Sequence, residues 1–443
     1  MSVEEPNVPY GGTTGERLKA FAGNAQTREQ LSVLATRYWE VATYGLIGII
    51  AAVLRFYNLG ARAMHHDESL HGFFSYGFTK GMRQFFTFGT ANTDTYKHVP
   101  FMHGPFQFIG PGFTMWIFGD GEYQARIMAA VMGTGLVLLP FLFRKQIGPI
   151  GALAAAAFIA FSPTLLYYSR FIREDIYTAF WTFGMVVFAW RYMTSRENKW
   201  LFLTAGFTAG SFLTKETTFM TAAAFIFFFM YLFAGHVADK IRARRPDMTD
   251  LQYVVLKIAA IPGGLILAVV WPFTKDWREQ YGLDELPPEA DLIIVMGTLT
   301  LPLYAAGFQL LPGFGDEWKN RAQDSGNAHI ASAEAGLAKA SIIVLMLVSL
   351  GIGVAWNRKV WAIAAACFWV PFILLATTFL SNVPGFWSVS WGSLDYWISQ
   401  QDVRRGNQPD YYYFITIPVY EFLPLALSIG AGLYYAIRGK LRN

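Results

Sequence analysis

Long uncharged runs follow one another along most of the chain. They extend over residues 127–143, 146–169, 176–190, 200–214, 217–238, 258–274 and 340–357. A hydrocarbon core about 30 Å thick requires about 20 helical residues, each adding about 1.5 Å. The runs lack the strict alternation of apolar and polar residues that barrel strands show. The pattern therefore predicts an all-α, polytopic integral membrane protein with about 10–12 transmembrane helices.

The positions of basic residues predict how these helices cross the membrane. Four basic residues precede the first span and favour a cytoplasmic N-terminus: Arg17, Lys19, Arg28 and Arg37. The basic turns at 144–145, 240–245 and 358–359 stay on the cytoplasmic side if the Gly- and Pro-containing run 105–119 and the run 292–315 do not cross. Ten crossings result, and twelve if both runs cross. The ten predicted spans are about 38–58, 125–143, 148–168, 175–193, 199–214, 217–235, 252–273, 337–356, 359–380 and 416–437.

Three sections follow from this topology. Residues 1–37 form a cytoplasmic N-terminal segment. Residues 38–273 form a transmembrane core with a large external loop at 60–124. Residues 274–443 form a C-terminal transmembrane section with an external aromatic loop at 381–414. The acidic stretch 276–289 is predicted to be external.

Composition narrows the function classes. Charged residues make up 15% of the 443 residues and hydrophobic residues 54%, whereas soluble domains carry about 25% charged residues. This balance excludes a soluble enzyme and predicts a multi-pass protein of the cell membrane, surrounded by lipid. The net charge of +4 and the single cysteine, Cys367, give no indication of nucleic acid, an internal disulfide or a thiolate metal cluster.

Ionisable residues concentrate at the external ends of the predicted spans. Asp67 and Glu68 are adjacent and flanked by His66 and His71, and one carboxylate could act as the general base that deprotonates a hydroxyl. The alternative is a solvated loop with carboxylates at a helix N-terminus.

Three further groups share this external layer, and each has a structural alternative. Lys97 and His103 could meet a lipid phosphate or anchor the loop at the membrane surface. The turn 169–175 could bind phosphate through its arginines, or form a salt-bridge knot. Lys215, which is followed by Glu216, could contact a phosphate or form a paired hinge. Arg126 could belong to the same layer or cap its helix at the membrane surface. The candidates from these groups are Lys97, His103, Arg126, Arg170, Arg173, Asp175 and Lys215.

No cofactor is required by the sequence. A divalent ion such as Mg²⁺ or Mn²⁺ could be held by Asp67, Glu68 and Asp175, although the histidines do not form a ligand pattern and no metal-ligand set is assigned. The chain has no phosphate-binding loop for ATP. An activated lipid substrate, or no chemistry at all, remains.

These residues resemble the motifs of the GT-C superfamily of membrane glycosyltransferases, which includes the dolichyl-phosphate-mannose protein mannosyltransferases. The resemblance consists of the pair Asp67-Glu68, the element His103-Gly104-Pro105 in place of His-Pro-Pro, Arg126 at the start of a span, and Ser169-Arg170 followed by Asp175. It implies a GT-C-like helical bundle in which the segment after His103 is an external juxtamembrane helix.

Longer strings are similar to a bacterial and archaeal family described as flippase-activity-associated in protein N-glycosylation. They are HHDESLHG at 65–72, MHGPFQF at 102–108, YYSRFIREDIY at 167–177 and YWISQQDVRRGNQPDYYYFITIPVYEF at 396–422. This resemblance implies membrane proteins of a glycosylation pathway as partners.

Two functions are therefore expected. As an enzyme, the protein would transfer a sugar from a polyprenyl-phosphate donor to an acceptor on the external face, with inversion and with Asp67 as base. Arg170, Arg173 or Lys215 would contact the lipid phosphate, with Arg404 and Arg405 as further candidates. Rings of the aromatic loop would stack on sugar or lipid: Trp387, Trp391, Tyr396, Trp397, Tyr411, Tyr412 and Tyr413. The alternative is a non-catalytic protein that handles lipid-linked oligosaccharide or accompanies a flippase.

Overall fold

The computed structural model describes residues 25–88, 96–270, 274, 276, 279–280, 286–312, 321, 327–401, 403, 409 and 411–437. Within these residues the regular elements are helices, and none is a strand. The predicted all-α class is confirmed.

Ten helices are described in the first part of the chain. They are α1 (Ala25–Phe56), α2 (His66–Phe88), α3 (Phe106–Phe118), α4 (Glu122–Leu138), α5 (Pro140–Phe161), α6 (Pro163–Tyr168), α7 (Glu174–Ser195), α8 (Asn198–Phe212), α9 (Thr217–Arg244) and α10 (Asp250–Val270). A short 3₁₀-helix, Pro100–Met102, precedes α3.

Seven more helices lie in the described residues after 286. They are α11 (Pro288–Thr300), α12 (Asn327–Glu334), α13 (Gly336–Ala376), α14 (Gly385–Trp387), α15 (Ser393–Ser399), α16 (Tyr412–Tyr420) and α17 (Phe422–Ile437). A 3₁₀-helix, Leu301–Leu310, continues α11, and one π-helical turn, Ser388–Gly392, joins α14 to α15.

Five helical stretches of the described chain are long and apolar enough to cross a membrane. They are Tyr38–Phe56, Glu122–Phe161, Thr217–Arg244, Pro288–Leu310 and Gly336–Ala376. A sixth candidate combines α16 with most of α17, which meet at 99°. These stretches confirm a polytopic membrane protein, and the count of ten to twelve spans stays a prediction.

The 40-residue stretch Glu122–Phe161 is a hairpin. Near its start, the Arg126 guanidinium donates to the carbonyl of Leu59 (3.0 Å). Near its end, the carbonyl of Ala160 accepts from the Arg55 guanidinium (3.4 Å). Both ends therefore lie beside the C-terminal end of α1. The chain reverses near Gly148, whose φ of 78° is in the left-handed region that glycine tolerates. At about 60 Å of helix, this stretch is long enough for the two predicted spans.

The 41-residue helix α13 folds back in the same way. It is interrupted at Asn357, where φ is −161°. Lys339 near its start lies over the ring of Trp387 (5.8 Å to the centroid), and the carbonyl of Ala376 at its end packs against Gly385. The break next to Arg358 and Lys359 agrees with the basic turn that the sequence predicts there.

The stretch Pro288–Leu310 connects opposite ends of the bundle. At one end, Asp291 pairs with Arg196 (2.8 Å), which follows α7. At the other end, Gln309 donates to Asp395 (2.8 Å). This path favours the alternative in which the run 292–315 crosses, against the preferred ten-span scheme. Most of the stretch is buried between α8, α9 and α13, so it is the centre of the bundle.

The acidic stretch before α11 was predicted to be external, and the structure corrects this. The carbonyl of Gln280 accepts from Arg244, and that of Leu286 accepts from Arg196 (2.8 Å). Both carbonyls thus lie beside the basic residues that follow α7 and end α9. Because acidic residues carry little topological information compared with Lys and Arg, their charge alone was a poor guide to the side.

The helix after His103 is short and packed inside the protein. α3 has 13 residues, or about 20 Å, less than a bilayer core. Gln107, Phe108 and Ile109 are buried, and α3 packs on α2 so closely that a Cβ at Gly112 would lie 2.6 Å from the Phe78 ring. α3 is not among the candidate spans. Its length is consistent with the prediction that it does not cross, which stays a prediction.

Candidate active site

The predicted pair Asp67-Glu68 opens α2. Both carboxylates stand in the first helical turn, where the helix dipole favours negative charge. Their surroundings differ. Asp67 is 40% exposed and pairs with Arg173 at 3.2 Å, whereas Glu68 is fully buried. The two neighbouring carboxylates therefore cannot share one role.

Glu68 receives five hydrogen bonds. Arg126 donates to both of its oxygens (2.9 and 3.0 Å), and Arg62 donates to one (3.0 Å). The backbone N–H groups of His65 and Ile172 add bonds of 3.1 and 3.2 Å. Burial by itself would raise the pKa of Glu68, but these donors outweigh it and lower the pKa. Glu68 is thus a fixed anion that joins α2, α4 and the turn before α7.

Arg170 binds backbone carbonyls of the protein itself. Its guanidinium donates to four carbonyls at the C-terminal end of α1, at 2.7 to 3.2 Å: those of Leu54, Arg55, Tyr57 and Asn58. These are groups that a helix leaves unpaired at its C-terminus, where a cation is favoured. Arg170 therefore caps α1.

Arg55 is a buried cation that the sequence analysis did not select. It donates to the Ser169 hydroxyl (3.1 Å) and to the carbonyls of Ile159 and Ala160 (3.2 and 3.4 Å) at the end of α5. The approach depends on Gly133, since a Cβ there would lie 2.1 Å from the Ser169 hydroxyl. Arg55, Arg62, Arg126 and Arg170 are called the arginine group below.

A second set of charges lies beside Asp67 and is called the charged network. Lys215 contacts Glu174 (3.0 Å) and Asp175 (3.3 Å), and Arg173 contacts the same two carboxylates at 3.4 Å each. Arg173 also reaches Asp67, so the network is continuous from α2 to the turn between α8 and α9. Glu174 is buried. Burial would raise its pKa, but His103, Lys215 and Arg173 outweigh burial and lower the pKa to about 2.

His103 completes the charged network. Its Nδ1 lies 2.6 Å from Glu216, and its Nε2 lies 3.7 Å from Glu174. Burial would lower the pKa of His103, but the two carboxylates outweigh burial and raise it. The backbone of His103 has a φ of 68°, a conformation that costs a non-glycine residue about 1–3 kcal/mol and is common at functional sites.

Gly104 explains the departure from the His-Pro-Pro pattern. The N–H of Gly104 donates to the carbonyl of Thr214 (3.1 Å), and the N–H of Phe106 donates to the carbonyl of Leu213 (2.8 Å). A Cβ on residue 104 would lie 2.1 Å from the Leu213 carbonyl oxygen. The turn between α8 and α9 therefore packs directly on the backbone at Gly104, which brings Lys215 and Glu216 to His103.

Two buried histidines support this arrangement. The Nε2 of His98 lies 3.1 Å from the His103 carbonyl, and its Nδ1 lies 2.8 Å from the Ser388 hydroxyl. Burial lowers the pKa of His98 to about 3, so it is neutral, with Nε2 donating and Nδ1 accepting. The Nδ1 of His71 donates to the Ile172 carbonyl (2.8 Å), and burial lowers the pKa of this ring as well.

The remaining predicted residues lie at the edge of the site or outside the described chain. His66 and Lys97 are exposed. Arg404 and Arg405 lie outside the described residues. Within the described part of the chain, no group of three or more His, Cys, Asp or Glu residues could hold a metal ion. Any assignment of Mg²⁺ or Mn²⁺ to Asp67, Glu68 and Asp175 has no geometric support, because Glu68 is occupied by its five donors.

The predicted aromatic loop is partly a packed core. Trp391 is buried and donates to Ser332 (3.0 Å), so it does not form an open stacking surface. Behind it, buried Asp395 accepts from His329 and Arg321, each at 2.7 Å. Tyr411, Tyr412 and Tyr413 are exposed.

Residues missed by the sequence analysis were close to the predicted ones. Glu174 adjoins Arg173, and Glu216 adjoins Lys215, so the signal was the same charged turns. Arg62 had no signal of its own beyond its place in the loop after α1. Its role depends on Glu68, which lies in the first turn of the next helix.

One known protein family matches part of the chain. Residues 102–262 match the family described as dolichyl-phosphate-mannose-protein mannosyltransferase. This range contains His103, Arg126, Arg173 and Lys215. No curated protein and no solved structure matches the chain, and the narrower resemblance to the flippase-associated family stays a prediction. The family match covers less than half of the chain and, on an all-helical membrane bundle, supports a GT-C-like membrane glycosyltransferase.

Proposed function

We propose that the protein transfers a sugar from a polyprenyl-phosphate donor to an acceptor hydroxyl on the external membrane face. The observation that carries this proposal is the contrast between two adjacent carboxylates. Asp67 is accessible and contacts one partly exposed arginine, whereas Glu68 is enclosed by five donors. Asp67 is therefore the carboxylate that can approach a substrate.

The proposed step needs one base and one leaving group. The Asp67 carboxylate takes the proton of the acceptor hydroxyl, whose oxygen attacks the anomeric carbon. The bond between that carbon and the phosphate oxygen breaks, and the lipid phosphate leaves with the electron pair. Attack opposite the leaving group inverts the anomeric centre. Arg173 orients Asp67, and is itself held by Glu174 and Asp175.

The external face is supported by charge placement. The charged network lies at the Glu174 end of α7, and Arg196 lies beyond the other end, 22 helical residues away. That is about 33 Å, the thickness of a bilayer core. With basic turns cytoplasmic, the charged network is external.

Replacing Asp67 tests the proposal. In reconstituted vesicles supplied with labelled polyprenyl-phosphate sugars, Asp67→Asn should lower sugar transfer by about 10²–10⁴-fold, the usual contribution of a general base. Asp120→Asn is the matched control, since Asp120 is also 40% exposed and also pairs with an arginine, Arg83. Transfer by Asp67→Asn at the wild-type rate would refute the role of Asp67.

Glu68→Gln separates the two carboxylates. It leaves buried Arg126 without its ionic partner, which costs about 3–5 kcal/mol in comparable buried pairs. We expect a lower melting temperature for Glu68→Gln and an unchanged one for Asp67→Asn. Absence of transfer by the wild type with several donors, alongside retained lipid binding, would instead favour a non-catalytic lipid-handling protein.

A further inference from the structure

The arginine group carries an excess of positive charge. Its four guanidinium groups have only two carboxylates within 4 Å among the described residues, Glu68 and Glu122, and Glu122 is 3.9 Å from Arg126. Arg55 and Arg170 are bonded to carbonyls and a hydroxyl instead. Two positive charges are therefore left without a carboxylate.

The members of the group also repel one another. The pKa of Arg170 is lowered, first by burial and then by the positive charges of Arg126 and Arg62. A site with like charges held this close by the fold favours an anion.

The charged network has the opposite balance. Four carboxylates, including Asp67 and Glu174, surround two permanent cations, Arg173 and Lys215, and His103. Even with His103 protonated, one negative charge remains. Arg173 and Lys215, which the sequence suggested for the lipid phosphate, are thus already neutralised by their own partners.

Arg62 is the accessible member of the arginine group. Its side chain is 46% exposed, and one terminal nitrogen donates to Glu68 at 3.0 Å. Its guanidinium lies over the rings of Tyr167 (5.1 Å) and Phe171 (5.2 Å). The rings and Glu68 orient the planar fork, while a single bond to protein leaves other N–H groups for an anion.

We propose that Arg62, supported by the excess positive charge of the arginine group, binds the phosphate of the lipid donor. The proposal rests on the proposed function, since it places the donor phosphate of that reaction. Asp67 and Glu68 then divide the site: Glu68 anchors the phosphate-binding side, and the neighbouring Asp67 faces the acceptor side.

Binding of an unglycosylated lipid phosphate tests this assignment. The purified full-length protein in nanodiscs is titrated with geranylgeranyl phosphate, geranylgeraniol or inorganic phosphate. We expect geranylgeranyl phosphate to bind more tightly than the other two. Arg62→Gln should weaken its binding about tenfold, as expected for one charge-assisted contact, and Arg62→Lys should weaken it less.

The control is Arg83→Gln, because Arg83 is similarly exposed (41%) but neutralised by Asp120. It should bind like the wild type. Arg62→Gln retains the bond from Arg126 to Glu68, so the fold is expected to persist, and its melting temperature verifies this. Unchanged binding in folded Arg62→Gln would overturn the assignment, as would equal affinity for geranylgeraniol. Equal affinity for inorganic phosphate would overturn a lipid headgroup as the ligand. Because no sugar is transferred, the result is independent of the proposed catalysis.

Discussion

At the scale of single residues, neighbours in sequence have opposite tasks. Asp67 and Glu68 differ in exposure, and Arg170 and Arg173 differ in partners, although each pair belongs to one short motif. A sequence motif shows that charges are concentrated at a point in the chain. It does not show which of them faces carbonyl groups and which faces an open site, because that depends on helices distant in sequence.

His103 gives a prediction at this scale. Its folded pKa lies above the usual 6.5 because of Glu216 and Glu174, so the folded protein keeps a proton that the unfolded chain loses. The stabilisation is complete below pH 6.5 and is lost as pH rises through the folded pKa. Melting temperatures in detergent should therefore fall over this window.

The matched variant is His103→Gln, which has no titrating group at this position. Lys215, His71 and neutral His98 surround the ring as well, and they remain in the variant. Its melting temperature should depend less on pH between 6.5 and the raised pKa. An identical pH dependence in both proteins would contradict the role of His103.

At the scale of helices, the most predictable elements were those that end in basic turns. The sequence placed reversals near 144–145 and 358–359, and the structure has them at Gly148 and Asn357. α11 was not among the ten predicted spans. Its apolar run is not flanked by a basic turn of the kind that marks the other reversals. Its helix is buried by protein on most sides, and amphipathic periodicity does not mark such an element.

The packing of α12 against α15 depends on one carboxylate. Asp395 accepts from His329, Arg321 and Gln309, and Asp395 and His329 are fully buried. Asp395→Ala should destabilise this contact by about 3–5 kcal/mol, because it leaves buried donors unpaired. Faster hydrogen exchange in 327–334 and 393–399 would show the effect.

An exposed ion pair provides the control for Asp395. Asp250 pairs with Arg242 and is almost fully exposed, and such pairs contribute about 0–1 kcal/mol. Asp250→Ala should leave exchange near wild type. If Asp395→Ala did the same, the buried cluster would not hold α12 and α15 together.

At the scale of the whole molecule, the two ends of the bundle should face different compartments. Single cysteines at Asp120 and Asn357, in a Cys367→Ser background, should react with a membrane-impermeant maleimide from opposite sides. Both positions are exposed and lie at breaks between helical segments. We expect position 120 to react from outside intact cells and position 357 only after permeabilisation. Labelling of both from one side would contradict the topology.

The central position of Pro288–Leu310 shows that the part of the chain that matches a known family differs from the part that shares one hydrophobic core. The family resemblance ends at residue 262, yet Leu292, Ile293 and Val295 from beyond that point lie in the same hydrophobic core as α7, α8 and α9. A fragment limited to residues 102–262 would expose the apolar side chains that pack against Pro288–Leu310 in the complete bundle. The stretch recognised by comparison is therefore shorter than the stretch that must fold together.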